Sequence, residues 1–140
     1  MILLVDTSVV LKWLHEEGEA EVEAARELLA AHRGGAARLL LLDLAVYELG
    51  NVLLRRLGLP AAVVTDQLNL VRRLCGPVVH PTPSWHAEAA QLGERHRLTF
   101  YDASWATAAR ALGSPLVSAD RALLAADLAI SPTTAAAALA

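Results

Sequence analysis

Cysteine is almost absent from this sequence of 140 residues, where Cys75 is the single example. One cysteine excludes an internal disulfide and a structural zinc cluster, and it favours a reducing, cytoplasmic compartment. Aromatic residues are also scarce, at 4%, although hydrophobic residues reach 55%, mostly as alanine and leucine. This composition excludes a disordered chain and leaves more apolar surface than a small monomer readily buries. Self-association or a permanent protein partner is therefore expected.

Long uncharged apolar runs and an excess of positive charge are missing as well. No stretch of about 18 uncharged apolar residues occurs, so no membrane span is predicted. Asp6 interrupts the first apolar run and no basic segment precedes it, so no signal peptide is expected. The formal net charge is −3, whereas a protein that holds nucleic acid through a broad basic face is usually positive. Any nucleic-acid contact must then be local or carried by metal ions.

Short apolar runs alternate with amphipathic segments along the chain. Strands are predicted at Ile2–Val5, Leu39–Leu42, Val78–His80 and Leu116–Ser118, with a last edge strand at Leu128–Ile130 and a strand or loop at Leu98–Tyr101. Helices are predicted at residues 9–14, 16–32, 43–57, 61–74, 84–96, 102–112 and 120–126. This alternation predicts one α/β domain with a parallel sheet, at residues 1–132. The alanine-rich tail at 133–140 is expected to be frayed.

Three aspartates, Asp6, Asp102 and Asp120, each follow a short apolar run and open a predicted helix. Ligands of an open parallel sheet bind at the carboxyl ends of its strands. Asp6 and Asp120 should therefore share one edge of the sheet, and Asp102 joins them if its helix begins nearby. Each aspartate alone is explained as a helix N-cap, a contribution of about 1 kcal/mol. Three such residues on one edge favour a common site.

Glu48 lies inside the predicted helix at residues 43–57, so it is not a helix cap. Between Leu44 and Leu54, only Glu48 and Asn51 are clearly hydrophilic. A carboxylate on such an apolar helix is expected to be partly desolvated, which is costly without a partner. Two interpretations stay open: a polar stripe that faces water, or a carboxylate that is aimed at a metal and held by Asn51, three residues further on.

Four ionised carboxylates in one pocket repel each other unless some are protonated or a cation neutralises them. Oxygen ligands without histidine or cysteine favour Mg²⁺ or Mn²⁺ over zinc. Such sites act on phosphates, where the metal orients water and offsets developing charge. The number of ions and the identity of the general base stay open.

Ser8 and Ser118 are either capping hydroxyls or supporting members of the site, and Arg121 is the best-placed candidate for a phosphate contact.

Four segments resemble, in order, the motifs of the PIN-domain family. Leu4–Val9 resembles its first-strand motif, and Glu48–Leu53 resembles its Glu-x-x-Asn motif. Tyr101–Trp105 resembles its Tyr-Asp-Ala-x-aromatic motif, and Leu116–Arg121 resembles its final acidic motif. The resemblance implies a three-layer fold, in which helices cover both faces of a central parallel sheet of four to five strands. It also implies that Asp6, Glu48, Asp102 and Asp120 form an acidic, metal-binding and catalytic quartet, which Ser8 and Asn51 support.

The length of the chain is similar to that of VapC-type toxins of toxin–antitoxin pairs. This resemblance implies a magnesium-dependent endoribonuclease that acts on RNA, assembles as a homodimer and is blocked by a cognate antitoxin. The near-continuous hydrophobicity of the helices between Leu44 and Leu74 makes them the expected dimer face.

Other functions stay open. One is a phosphoryl-accepting α/β domain of the receiver or phosphatase type, although Ser8 stands where such phosphatases carry a second aspartate and the only lysine, Lys12, follows no late strand. Another is a catalytically inactive PIN-like binding module, although none of the four acids is missing. A nuclease directed at DNA or at transfer RNA is a third.

Overall fold

The computed structural model describes residues 1–140. Its strands are β1 (Ile2–Val5), β2 (Arg38–Leu40) and β3 (Leu116–Val117). Its α-helices are α1 (Thr7–Leu14), α2 (Val22–Arg33), α3 (Leu44–Asn51), α4 (Ala61–Cys75), α5 (Pro83–His96), α6 (Phe100–Leu112), α7 (Arg121–Ala125) and α8 (Pro132–Leu139). A π-helical turn at Val52–Arg56 continues α3. None of these helices has both the length and the hydropathy that a membrane crossing requires.

The parallel sheet has the order β2-β1-β3, so β1 is central. Leu3, Leu4 and Val5 of β1 are fully buried, as expected for a strand covered by helices on both faces. The sheet has three strands, fewer than the predicted four to five. The predicted strands near Val79 and Ile130 are each reduced to a one-residue bridge, to Leu42 and Val117 respectively.

Proline explains why the segment at Val79 stays so short. Pro77 and Pro81 flank it, and proline lacks the backbone N–H that a longer ladder would need. Val79 N still donates to Leu41 O at 2.7 Å, and Asp43 N donates to Val79 O at 3.0 Å. The segment therefore lies at the edge of the sheet, beyond β2, without forming a regular strand.

Three predicted helix starts are wrong. Residues 16–21 form a turn and a loop rather than the start of α2, because Gly18 and Glu21 adopt positive φ values of 76° and 56°. The cap of α5 is Thr82 rather than Ser84, with Pro83 in the first turn, where its missing N–H has no cost. Helix α6 begins at Phe100 and is capped by Thr99, so the predicted strand or loop at 98–101 is partly helical.

The alanine-rich tail is ordered, so the prediction of a frayed end at 133–140 is wrong. Ser131 caps α8 by accepting a hydrogen bond from Thr134 N. Thr133 donates from its backbone N, at 3.1 Å, and from its hydroxyl, at 2.6 Å, to Glu21 Oε1. Helix α8 packs on α2, and Ala135 is 1% exposed. Small side chains allow this close helix contact, which composition alone did not reveal.

Candidate active site

Asp6 stands at the carboxyl end of the central strand, where β1 turns into α1. It caps α1 by accepting a hydrogen bond from Ser8 N at 3.0 Å. The Ser8 hydroxyl donates to the same carboxylate oxygen, and the Ser118 hydroxyl donates to the other. Asp6 is only 4% exposed. Burial, with a smaller contribution from the negative charge of Glu48, raises the pKa of Asp6 to about 6, although the bonds from Ser118 and Ser8 act to lower it.

The two serines join Asp6 to the loop that carries Asp120. The Ser8 hydroxyl accepts a hydrogen bond from Ala119 N at 2.8 Å, and the Ser118 hydroxyl accepts one from Asp120 N at 2.9 Å. Both hydroxyls therefore do more than cap helices: they bind the end of β1 to the end of β3. This network fixes Asp6 and Asp120 at one edge of the sheet, as the sequence predicted from their position after parallel strands.

Glu48 reaches the same edge from α3, and two donors hold it there. Thr7 Oγ1 donates to Glu48 Oε1 at 2.9 Å, and Trp105 Nε1 donates to the same oxygen at 2.8 Å. Glu48 Oε2 receives no hydrogen bond from the protein, so one oxygen of this partly buried carboxylate is available. Of the two interpretations left open by the sequence, the one in which Asn51 holds Glu48 does not match the structure, since Asn51 is exposed and makes no side-chain hydrogen bond.

Asp102 and Asp120 complete the acidic cluster. Asp102 lies in the first turn of α6, where its backbone N donates to Thr99 Oγ1 at 3.1 Å. Burial, followed by the negative charges of Asp120 and Glu48, raises the pKa of Asp102 above its ordinary value of 3.8. Asp120 caps α7 by accepting from Leu123 N at 3.0 Å through Oδ1. Electrostatic interactions thus connect the four predicted carboxylates in a series, Asp6 with Glu48, Glu48 with Asp102, and Asp102 with Asp120.

The residues fit a hard divalent cation in their chemistry, though they do not form a closed set of ligands. One oxygen of Glu48 and one of Asp120 accept no hydrogen bond from the protein, and anionic oxygens are what Mg²⁺ and Mn²⁺ prefer. No three acidic, histidine or cysteine side chains lie close enough to hold one ion directly. An ion would therefore keep water in its coordination shell, as Mg²⁺ usually does.

A groove of about 820 Å³ opens beside the acidic cluster, with Glu48 and Asp120 in its lining, and we name it the main groove. Its polar lining comes from α1, the α1–α2 loop, α3, the π-helical turn and the start of α7: Thr7, Ser8, Lys12, Glu19, Glu21, Glu48, Arg56, Asp120 and Arg121. Lys12, 4% exposed, donates to Glu19 Oε1 at 3.0 Å, and Arg56 Nη2 lies 3.7 Å from Glu19 Oε2. Arg121 is exposed beside Asp120, so three cations border an otherwise acidic groove.

A second, smaller pocket of about 390 Å³ adjoins the main groove, and we name it the tyrosine pocket. Its lining is Leu44, Tyr47, Glu48, Asn51, Val52 and Tyr101. Glu48 lines both cavities, so the tyrosine pocket and the main groove meet at this carboxylate.

Sequence reasoning missed the two residues that orient Glu48. Trp105 is 1% exposed and lies in α6, while Thr7 is the first residue of α1. A signal was available for Trp105: a buried indole N–H needs an acceptor, and a carboxylate on an apolar helix needs a donor. The pairing spans 57 residues, so no local pattern links the two.

The fold and these residues define an α/β domain with an acidic site at the carboxyl edge of its parallel sheet. The chain belongs to the PIN domain family, whose model matches residues 3–129. PIN domains are generally nucleases and typically use divalent metal ions. The chain is also similar to the crystal structure of PAE2754 from Pyrobaculum aerophilum, with 31% identity, a TM-score of 0.72, and coverage of 99% of this chain and 98% of that one. No curated protein matches it.

Proposed function

We propose that this PIN domain is a magnesium- or manganese-dependent endoribonuclease that hydrolyses RNA phosphodiesters. The observation that carries the proposal is that Asp6, Glu48, Asp102 and Asp120, from four separate segments, interact electrostatically at one edge of the sheet, where Glu48 and Asp120 line the main groove. Burial and mutual repulsion raise the pKa of Asp6 and Asp102, so the cluster is under electrostatic stress that a divalent cation would relieve.

The residues of this chain would divide the work as follows. Glu48, Asp102 and Asp120 would hold the cation in part through water molecules in its coordination shell, and Asp6 would complete the acidic set. A bound divalent ion would orient water and offset the charge that develops on the phosphate. Trp105 and Thr7 keep Glu48 turned toward the groove, while Ser8 and Ser118 keep Asp6 and the Asp120 loop in register. Arg121 is suited to contact a neighbouring phosphate of the RNA.

The test measures cleavage of end-labelled single-stranded RNA by the wild-type protein, once with millimolar Mg²⁺ and once with excess EDTA. The Asp6→Asn and Asp120→Asn variants are measured with the same concentration of Mg²⁺. Wild-type protein with Mg²⁺ should cut internally, and EDTA or either substitution should reduce the rate at least about 100-fold. Asp66→Asn is the matched control, because Asp66 is exposed on α4 and its side chain makes no hydrogen bond or ion pair. Equal cleavage in all cases would contradict the proposal and favour an inactive binding module or a contaminating nuclease.

The finer proposal is a cytoplasmic toxin of a toxin–antitoxin pair that acts as a homodimer. Leu54 and Val63, 45% and 37% exposed, support a dimer face on the helices between Leu44 and Leu74. Expression in cells should arrest growth, and Asp6→Asn should relieve the arrest. Light scattering should give twice the mass of 14.9 kDa, and co-expression of the open reading frame upstream should yield a complex that no longer cleaves RNA.

A phosphoryl-accepting role finds no support in the site. Both carboxylate oxygens of Asp6 already accept hydrogen bonds from Ser8 and Ser118, and the only lysine is paired with Glu19. Receiver-type sites need a lysine that reaches the phosphoryl group, and the pairing of Lys12 with Glu19 leaves none for that role.

A further inference from the structure

Two exposed tyrosines flank the tyrosine pocket beside the acidic cluster. Tyr47 is 74% exposed and Tyr101 is 59% exposed, although aromatic side chains usually bury most of their surface. They are the only tyrosines in the chain. Tyrosine presents a flat apolar face and a hydroxyl that tolerates water, so exposure on this scale is typical of a surface that receives a ligand.

The pocket carries a polar edge as well as aromatic faces. Leu44, Tyr47, Glu48 and Asn51 follow the helical spacing i, i+3, i+4 and i+7, and they therefore share one face of α3. Asn51 is exposed and has no side-chain hydrogen bond. Its amide offers both a donor and an acceptor, which is the combination that matches the edge of a nucleobase.

The pocket is continuous with the acidic site at two points. Glu48 lines both the tyrosine pocket and the main groove, and Tyr101 directly precedes Asp102 in α6. A chain of nucleotides whose phosphate lies over the carboxylates would thus carry its adjoining base to the tyrosine pocket. An apolar protein segment would gain nothing from the free amide of Asn51 or from the carboxylate at the pocket wall.

We propose that the tyrosine pocket is a base-binding subsite, which receives one unpaired nucleobase of single-stranded RNA next to the phosphodiester at the acidic cluster. Tyr47 and Tyr101 supply the stacking surfaces, and Asn51 contacts the edge of the base. Recognition by stacking requires a base that is not paired, so this subsite selects single strands over duplexes. The inference rests on the proposed nuclease function and adds a substrate class to it.

The first test compares KM for a labelled single-stranded RNA pool of random sequence. Tyr47→Ala and Tyr101→Ala should each raise KM roughly tenfold or more, with a smaller effect on kcat, because a stacking surface is lost. Tyr47→Phe and Tyr101→Phe keep the ring and should stay within about threefold of the wild type. Phe100→Ala is the matched control, since Phe100 is 49% exposed, faces His86 with a ring separation of 5.9 Å, and lies outside the pocket.

The second test changes only the RNA. Once a cleaved sequence is known, an abasic nucleotide is placed at each position near the cut. At one position adjoining the scissile phosphate, the abasic nucleotide should raise the KM of the wild-type protein as much as Tyr47→Ala does. The same abasic RNA should raise the KM of the Tyr47→Ala variant little further. Asn51→Ala should alter the preference among the four bases at that same position. Duplex RNA of the same sequence should be a poor substrate.

The outcomes separate this inference from the proposed function. Cleavage that is indifferent to both tyrosines and to every abasic position overturns the base-binding subsite and leaves the nuclease intact. Absence of cleavage, together with tyrosine-dependent RNA binding in fluorescence anisotropy, overturns the nuclease and leaves the subsite intact. Loss of a dimer in Tyr47→Ala or Tyr101→Ala, with KM per subunit unchanged, assigns the pocket to a second copy of the chain and overturns the proposal.

Discussion

Asp6 illustrates how a single buried acid stabilises the site only when something offsets its charge. Its pKa of about 6 lies above the ordinary value of 3.8, so the folded protein holds this proton more tightly than the unfolded chain does. Protonation of Asp6 therefore stabilises the folded protein. This contribution to the free energy of unfolding is complete below pH 4 and is lost as pH rises from about 4 to 6. A change of this size corresponds to roughly 3 kcal/mol.

We therefore predict that the metal-free protein loses stability across this pH window and that Asp6→Asn removes much of the dependence. Urea unfolding in EDTA, at pH values from about 4 to 7.5, measures both proteins. Near neutral pH, Asp6→Asn should be the more stable protein, because an amide carries no buried charge. Parallel pH profiles for the two proteins would show that Asp6 titrates normally. Asp66→Asn, on the exposed face of α4, should leave the profile unchanged.

Trp105 provides a second prediction at the scale of one residue. Trp105→Phe keeps an aromatic ring but removes the Nε1 donor, which lies 2.8 Å from Glu48 Oε1. A hydrogen bond to a charged group contributes about 1.5–3 kcal/mol, and its loss frees Glu48 to turn away from the groove. We expect RNA cleavage to fall at least tenfold, together with a weaker apparent affinity for Mg²⁺ in a metal titration.

Trp13→Phe is the matched control for that measurement. Trp13 also donates from Nε1, to Ala25 O at 2.8 Å, but this bond joins α1 to α2 away from the carboxylates. Its loss should reduce stability by about 1 kcal/mol without changing the dependence of cleavage on Mg²⁺. If Trp105→Phe altered only stability, in the same way as Trp13→Phe, the indole would be a packing residue and not a positioning residue for Glu48.

At the scale of elements, the ion pair between Lys12 and Glu19 ties the end of α1 to the α1–α2 loop that forms one wall of the main groove. Both side chains are largely buried, with 5% and 16% of their surfaces exposed. Lys12→Met leaves Glu19 with only the distant Arg56, so we expect a loss of about 3 kcal/mol in urea unfolding. Adding Glu19→Gln should recover part of it. Arg26→Met, whose pairs with Glu16 and Glu23 are exposed, should cost less than about 1 kcal/mol.

Helix α8 carries a prediction that distinguishes a packed tail from a frayed one. Ala135 is 1% exposed against α2, so Ala135→Gln forces a polar side chain into a filled contact and should lower stability by about 2–4 kcal/mol. Ala138→Gln places the same side chain on the exposed face of α8 and should change stability by less than about 0.5 kcal/mol. Equal thermal unfolding of the two variants would mean that α8 does not pack on α2 in solution.

Local chemistry explains which elements the sequence predicted well. β1, the cap at Asp6 and the cap at Asp120 each depend on a short apolar run followed by a side chain that bonds its own helix. Helix α6 was placed two residues late, because Thr99 and Asp102 are both good caps and the choice is made by the backbone at Thr99. Helical spacing suggested Asn51 as one possible partner of Glu48, whereas the donors in the structure come from Thr7 and Trp105, which are far away along the chain.

At the scale of the whole molecule, the sequence predicted the α/β class and the shared edge of Asp6 and Asp120, because a parallel sheet places the residues that follow its strands at one edge. The membership of Glu48 in the acidic cluster was implied only by the resemblance to the PIN-domain family. The sequence did not predict the number of strands, since the segments at Val79 and Ile130 each pair through a single bridge and not through a regular ladder. It also missed the docking of α8, because Ala135 contributes to stability through close helix contact and not through a visible amphipathic pattern.

The net charge of −3 leads to a final prediction about RNA binding. Only Lys12, Arg56 and Arg121 bring positive charge to the main groove, and Lys12 is already paired with Glu19. Two or three phosphate contacts on a single strand give a slope of roughly −1.5 to −2 in log affinity against log salt. Measured by anisotropy in KCl, Arg121→Gln should reduce that slope by about 0.7, while Arg73→Gln, on the exposed surface of α4, should leave it unchanged.

Removal of the metal should weaken this binding further, because the carboxylates would then repel the phosphates that the cation attracts. We expect EDTA to lower RNA affinity at least about tenfold at moderate salt. A protein that bound RNA equally well in EDTA, with a slope of about −4 or steeper, would need a basic surface away from the main groove. Since the chain carries 12 basic residues against 15 acidic ones, such a surface would have to be concentrated on a single face, and the acidic cluster would then have no part in holding RNA.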